Sequence, residues 1–193
     1  MPPRVAKEAR RLFFALWPSA ESCAEIEAAT AAAVRERGGR IIPSRNFHVT
    51  LLFLGDVLPS RLAAVQLAGA MAADTPPFQL NFDRIEAWGR KVLCLTASAC
   101  PAAAIQLAEK LRDGLGDEAP QASEHEFRPH LTLARDLPRA RRPEPIKTLS
   151  LEAREFVLAE SQRGADGSHY SVVARWPLLS LPSTPNPVVA DHE

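Results

Sequence analysis

The sequence predicts an α+β fold built on largely antiparallel sheets, and three observations carry that reading. Short apolar runs and helix-forming stretches follow one another irregularly: strand, helix, strand, helix, two strands, helix, strand, then two strands. A doubly wound parallel sheet would alternate strand and helix regularly. The pattern His-x-Thr-Leu occurs twice in apolar strand context, at His48 and at His130, which suggests two similar half-domains facing each other. The chain has 193 residues, 46% apolar and 24% charged, which fits one domain or two small lobes sharing a core.

The elements follow from local chemistry. Arg11 to Trp17 reads RLFFALW, a buried strand stopped by Pro18. Ser19 is a candidate N-cap, and Glu21 and Glu25 suit the positive end of a helix that runs through an Ala-rich stretch to Arg37. Gly38 and Gly39 end it, and Pro43-Ser44 turn the chain into a strand from Phe47 to Leu54, closed by Gly55. A helix fits Ser60 to Ala73, before the break at Pro76-Pro77. Phe78 to Ala87 and Val92 to Ser98 read as strands joined by a hairpin at Gly89-Arg90. Pro101 opens a helix to about Leu115. The polar segment 117–128 leads to a strand from His130 to Arg135, and Pro138 to Pro145 reads as a loop. Strands over Leu151 to Ser161 and Tyr170 to Leu178 follow, around a loop with Gly164 and Gly167. Residues 1–10 are expected to be a flexible N-terminus, 11–181 the folded domain and 182–193 a disordered tail.

Bulk properties exclude several classes. Formal net charge is zero, whereas a protein gripping long duplexes through many phosphates is usually basic. Arginines cluster at Arg35, Arg37, Arg40 and Arg45 and again at Arg139, Arg141 and Arg142; such runs usually form a solvated face, and a short nucleic-acid end needs only a few charges. Cys23, Cys94 and Cys100 have no metal-ligand spacing and read as reduced core thiols, in keeping with a cytoplasmic protein. No signal-peptide pattern and no apolar run of membrane-spanning length is present. A monomer without a membrane partner is expected.

Side chains alternate faces along a strand, so His48 shares a face with Thr50, and His130 with Thr132, while Val49, Leu51, Phe53, Leu131 and Leu133 point into a core. Same-face neighbours lie roughly 6.5–7 Å apart, so a phosphate between two such strands is within reach of all four side chains. Histidine titrates near neutral pH, so one copy takes a proton from water while the other gives one to a leaving oxygen. The threonine hydroxyls donate to non-bridging phosphate oxygens. A lone strand histidine is more often structural; two in matching motifs on otherwise apolar strands are better explained by a cleft, because an unpaired polar face is unfavourable in a core.

The segments FHVTLLFLG and FRPHLTLAR, the opening RLFFALWP and the closing LAESQRGADGSHYSVVARWPL resemble the 2H phosphoesterase superfamily. They are most similar to its bacterial and archaeal branch of RNA 2′,3′-cyclic phosphodiesterases, also called 2′-5′ RNA ligases. The resemblance runs from Arg11 to about Leu178. It implies a bilobal α+β fold: two mostly antiparallel sheets with flanking helices, related by pseudo-twofold symmetry around a central cleft. It implies hydrolysis of an RNA terminal 2′,3′-cyclic phosphate, or of a small cyclic nucleotide, to a 2′-phosphate without a metal or other cofactor. His48 would be the proton donor to the 3′ oxygen and His130 the base, or the reverse, with Thr50 and Thr132 holding the phosphate. Arg135 follows the second motif as HLTLAR; strict alternation turns it away from His130, so it reaches the phosphate only if the strand twists or ends. Phe14 is a candidate to stack a terminal base, with core packing as the alternative, and Tyr170 reads as structural. His125 and His169 read as surface loop residues. Two competing classes are a non-catalytic RNA-end-binding module of the same fold and a metallohydrolase built on His48, His125 and His130, for which no ligand signature exists.

Overall fold

Two strand–helix–strand units set the architecture. In the first, β1 (Arg10–Leu16) leads through α1 (Ala20–Arg37) and the short β2 (Arg40–Ile41) to β3 (Val49–Val57). In the second, β5 (Val92–Thr96) leads through α3 (Ala102–Asp113) to β6 (His130–Arg135). Between them lie α2 (Leu62–Ala72) and β4 (Phe78–Trp88); β7 (Glu144–Ala153), β8 (Glu155–Gly164) and β9 (Gly167–Pro177) close the chain. The computed structural model describes residues 9–116, 119, 127–139, 142–164 and 167–179. The expected tail and His125 lie outside them.

The strands run in the order β7-β4-β5-β6-β3-β1-β8-β9, with every pairing antiparallel. Outward from the centre, each half has a His-x-Thr strand innermost, then the strand that precedes it through a helix, then two more. The α+β antiparallel class is as expected. The two sheets expected for the two halves are joined into one by a single bridge, Val49 to Leu131. Beyond that pair β3 and β6 part, and β2 takes up the free edge of β6 through Arg40–Arg135 and Ile41–Ala134.

Local signals explain most boundaries. Ser19 caps α1, its hydroxyl accepting from the Ser22 amide at 3.2 Å, and Gly38 ends the helix at φ +71°. Several boundaries differ from expectation. β1 begins at Arg10, which pairs with Val57 and forms an ion pair with Glu160 at 2.7 Å. β3 begins after His48 and continues through Gly55, whose positive φ fits a register shift instead of ending the strand. The single strand expected over Leu151 to Ser161 is two, broken at Arg154, and part of the expected 138–145 loop is β7, whose inward Leu149, Leu151 and Ala153 alternate with exposed residues. His169 lies in β9 and not in a loop, although it is exposed.

The main core packs one sheet face against the three helices, with Leu12, Phe14, Leu16, Leu80, Phe82, Leu107, Leu111 and Phe156 fully or almost fully buried. A smaller apolar cluster, Phe13, Ala15, Val157 and Ala159, lies on the other face. Phe14 therefore cannot be the base-stacking ring: its side chain is 0% exposed, against Phe156 and Trp176. Alternation along β1 turns its neighbour Phe13 to the face that carries the histidines. Arg37 likewise leaves the solvated arginine cluster; it is buried and pairs with Glu144 at 2.6 Å.

Candidate active site

His48 sits immediately before β3 and His130 opens β6, and both are held by the same kind of bond. His48 Nδ1 lies 2.8 Å from the carbonyl oxygen of Asn46, and His130 Nδ1 lies 2.9 Å from that of Arg128. A carbonyl only accepts, so each Nδ1 carries a proton and each Nε2 is left as the titrating nitrogen. The bridge pair Val49–Leu131 is the middle residue of both His-x-Thr motifs. An antiparallel register through that pair sets His48 across from Thr132 and Thr50 across from His130. Each histidine is thus beside the threonine of the other motif.

Register shifts add two further side chains to this face. In β6, Leu133 has no partner on β5, between the pairs Thr132–Cys94 and Ala134–Leu93. Leu133 and Ala134 are both buried in the core, so alternation resumes with Arg135 on the face of His130 and Thr132. In β3, Leu51 is skipped between the pairs Thr50–Ala15 and Leu52–Phe14; Leu51 and Leu52 both enter the core, and Phe53 emerges beside Thr50, 43% exposed, with the Arg11 guanidinium 4.7 Å from its ring centre. Phe53 and Arg135 stand at matching positions of the two motifs. The two bulges correct the strict alternation that turns Arg135 away from its motif and puts Phe53 in the core.

The surroundings of the two histidines differ. The His48 ring lies 5.7 Å from Trp17 at 14°, stacked, with Phe13 at 5.0 Å and Tyr170 edge-on at 5.1 Å. His130 faces one ring, Trp88, at 4.5 Å; Glu86 accepts from Trp88 Nε1 at 3.0 Å and from Arg128 at 2.9 Å. Burial, then the charges of His130 and Arg135, push His48 down to about 4, against the backbone bond to Asn46 that favours the charged ring. His130 is also lowered, first by burial and then by Arg128 and Arg135. Both imidazoles are therefore neutral at pH 7 without a ligand. Cys94, opposite Thr132, is pushed up to about 12 by burial and stays a thiol. No group of three or more His, Cys, Asp or Glu suited to a metal occurs among the described residues. An open groove of about 730 Å³ begins at Trp17 and is lined by Ser19, Arg45, Arg154 and Arg175.

Comparison with known proteins matches residues 18–163 to the model of the 2′-5′ RNA ligase superfamily. The chain belongs to that superfamily. It is 33% identical over 173 residues to the RNA 2′,3′-cyclic phosphodiesterase of Escherichia coli, covering 89% of this chain and 98% of that one. It is 32% identical over 183 residues to the enzyme of the same name from Thermus thermophilus, covering 87% and 90%. The structure of E. coli LigT complexed with 3′-AMP superposes with a TM-score of 0.79 at 33% identity, over 89% of this chain and 99% of that chain. Within the superfamily frame, His48, Thr50, His130, Thr132 and Arg135 all fall on one face. Sequence reasoning missed Phe13, Trp17, Asn46, Phe53, Trp88 and Arg128 there. The spacing of Phe13, Ala15 and Trp17 along one strand face was the available signal for two of them. No helix among the described residues is long and apolar enough to cross a membrane.

Proposed function

We propose that the protein hydrolyses the 2′,3′-cyclic phosphate at an RNA end to a 2′-phosphate, by acid–base catalysis between His48 and His130. The observation that carries this reading is the pair of Nδ1-to-carbonyl bonds, which leave both Nε2 atoms to exchange protons, in a register that sets each histidine across from the threonine of the other motif. The names of the relatives agree with it.

In the proposed reaction, His130 Nε2 takes a proton from water as the water oxygen attacks phosphorus. The bond from phosphorus to the 3′ oxygen breaks, and His48 Nε2–H protonates that oxygen. The 2′-phosphate remains. Thr50, Thr132 and Arg135 hold the non-bridging oxygens, where preorganised donors act on the transition state. Burial first, and then Arg128 and Arg135, keep His130 neutral, as a base must be. The face of Trp17, stacked on His48, favours a cationic imidazolium once an anionic phosphate offsets its burial. The two histidines supply every proton transfer, so the reaction needs no metal.

The test is incubation with RNA ending in a 2′,3′-cyclic phosphate in EDTA, with the product phosphate located. A 2′-phosphate is expected; a 3′-phosphate product would overturn the donor role of His48. Loss of turnover in EDTA, restored by a divalent cation, would overturn the metal-independent mechanism. Binding without turnover would favour an end-binding module.

A further inference from the structure

The two motifs repeat, and in both the residue that supplies the carbonyl is tied by its side chain to another strand, but among the described residues the rings enclose His48 more fully than His130. Asn46 is buried, 8% exposed, on the turn before β3. Its backbone carbonyl accepts from His48 Nδ1, and its side-chain Nδ2 donates to the Ser168 carbonyl of β9 at 2.9 Å. Two residues further along β9, Tyr170 sets its ring edge against His48 at 77°. Tyr170 also meets Phe13 at 5.3 Å and Trp17 at 6.5 Å, both edge-on, so the three rings close a box around the imidazole. Among the described residues His130 has no such box: one ring, Trp88, contacts it, and its carbonyl partner Arg128 is exposed, though its guanidinium bonds Glu86 of β4 at 2.9 Å.

The geometry points to Asn46 and Tyr170 as positioning residues that lock the His48 ring plane and its Nδ1–H tautomer, making the β8–β9 hairpin part of the acid–base apparatus. An imidazole held by one hydrogen bond still rotates about its Cβ–Cγ bond, and a flipped ring presents a carbon to the cleft where Nε2 should be. The Asn46 carbonyl selects the tautomer. The side-chain bond to Ser168 fixes that carbonyl by tying its residue to a strand of the sheet. The Tyr170 edge and the Trp17 face hold the ring plane, and the Asn46 carbonyl selects between its two flips. Tyr170 acts by its ring and not by its hydroxyl. The inference rests on the two-histidine reading for its catalytic consequence, but the tautomer is a property of the free protein.

The experiment is therefore NMR of the full chain labelled with 15N-histidine, above the titration of His48, with His48→Gln used to assign its signals. The wild type is expected to show one Nδ1–H tautomer at His48. Asn46→Ala, and Asn46→Asp, which keeps the shape but lacks the donor, are expected to give mixed tautomers at His48 with the His130 signals unmoved. Tyr170→Ala should behave similarly and Tyr170→Phe like the wild type. On a cyclic-phosphate substrate, Asn46→Asp and Tyr170→Ala should lower kcat by about tenfold or more, since small misplacements of catalytic groups are expensive, with KM nearly unchanged. A wild-type tautomer and kcat in Asn46→Asp and Tyr170→Ala would overturn the inference, as would equal losses in Tyr170→Phe and Tyr170→Ala. Altered tautomers in a protein whose wild type opens no cyclic phosphate would support the clamp and overturn the proposed function.

Discussion

Val49 and Leu131 form the one bridge between β3 and β6, and each is the central residue of a His-x-Thr motif. The local twofold of an antiparallel pair passes between its partners. The same bridge that joins the halves therefore places four polar side chains around the point where the strands part. Both bridge residues are 0% exposed, which anchors this point in the core.

His48→Ala and His130→Ala are each expected to lower kcat by about 10²–10⁴, the usual worth of general acid–base help, with circular dichroism and melting temperature retained. Steady-state rates on a cyclic-phosphate substrate are the check. Near-wild-type turnover in either variant would rule out the pair.

Thr50→Val and Thr132→Val should each lower kcat by about 10–10³ while leaving the fold intact, because each removes one donor to the phosphate oxygens without changing side-chain shape. Given the cross-motif placement, the two losses should be of similar size. A loss confined to one variant would show that only one threonine holds the phosphate.

Arg135→Gln removes a cation that depresses both histidines. The sign follows: removing a positive neighbour raises an imidazole, so both should titrate higher by NMR, and KM should rise as a phosphate contact is lost. Unmoved histidine titrations would show that Arg135 points elsewhere.

Stability should fall on acidification. His48 titrates at about 4 when folded, against about 6.5 unfolded, so between these values the unfolded chain binds more protons. Stability is fully present above about 6.5 and declines as pH falls toward 4, by up to about 3 kcal/mol from this group. Urea midpoints across that window measure it, and His48→Gln should flatten the decline.

Gly69→Ala tests the packing of α2. A methyl there would sit 2.7 Å from the Trp176 ring, which is itself stacked on Phe156 at 5.4 Å. The helix gains propensity by roughly 1 kcal/mol, but overpacking a fixed ring costs about 1–3 kcal/mol, so a net loss is expected in denaturant midpoints.

The α+β class, the repeat and the two histidine–threonine pairs are legible in the sequence because they depend on local pattern: strand alternation, Gly and Pro punctuation, and a motif carried whole by a short segment. The misreadings share one cause. Pattern alone offers Phe14 in place of Phe13 and turns Arg135 away from its motif, because alternation gives two faces without saying which is which, and a bulge resets the phase without altering composition. The sequence alone thus determined which residue types carry the chemistry and that they come in two equivalent sets. Only the tertiary structure decided that the sets meet at Val49–Leu131 and that Phe53 and Arg135 join their face. It also decided that Trp17, Tyr170 and Asn46 enclose one histidine and not the other. Those outcomes depend on pairings between residues far apart in the chain, such as Asn46 with Ser168, 122 positions on, for which no local pattern encodes a distance.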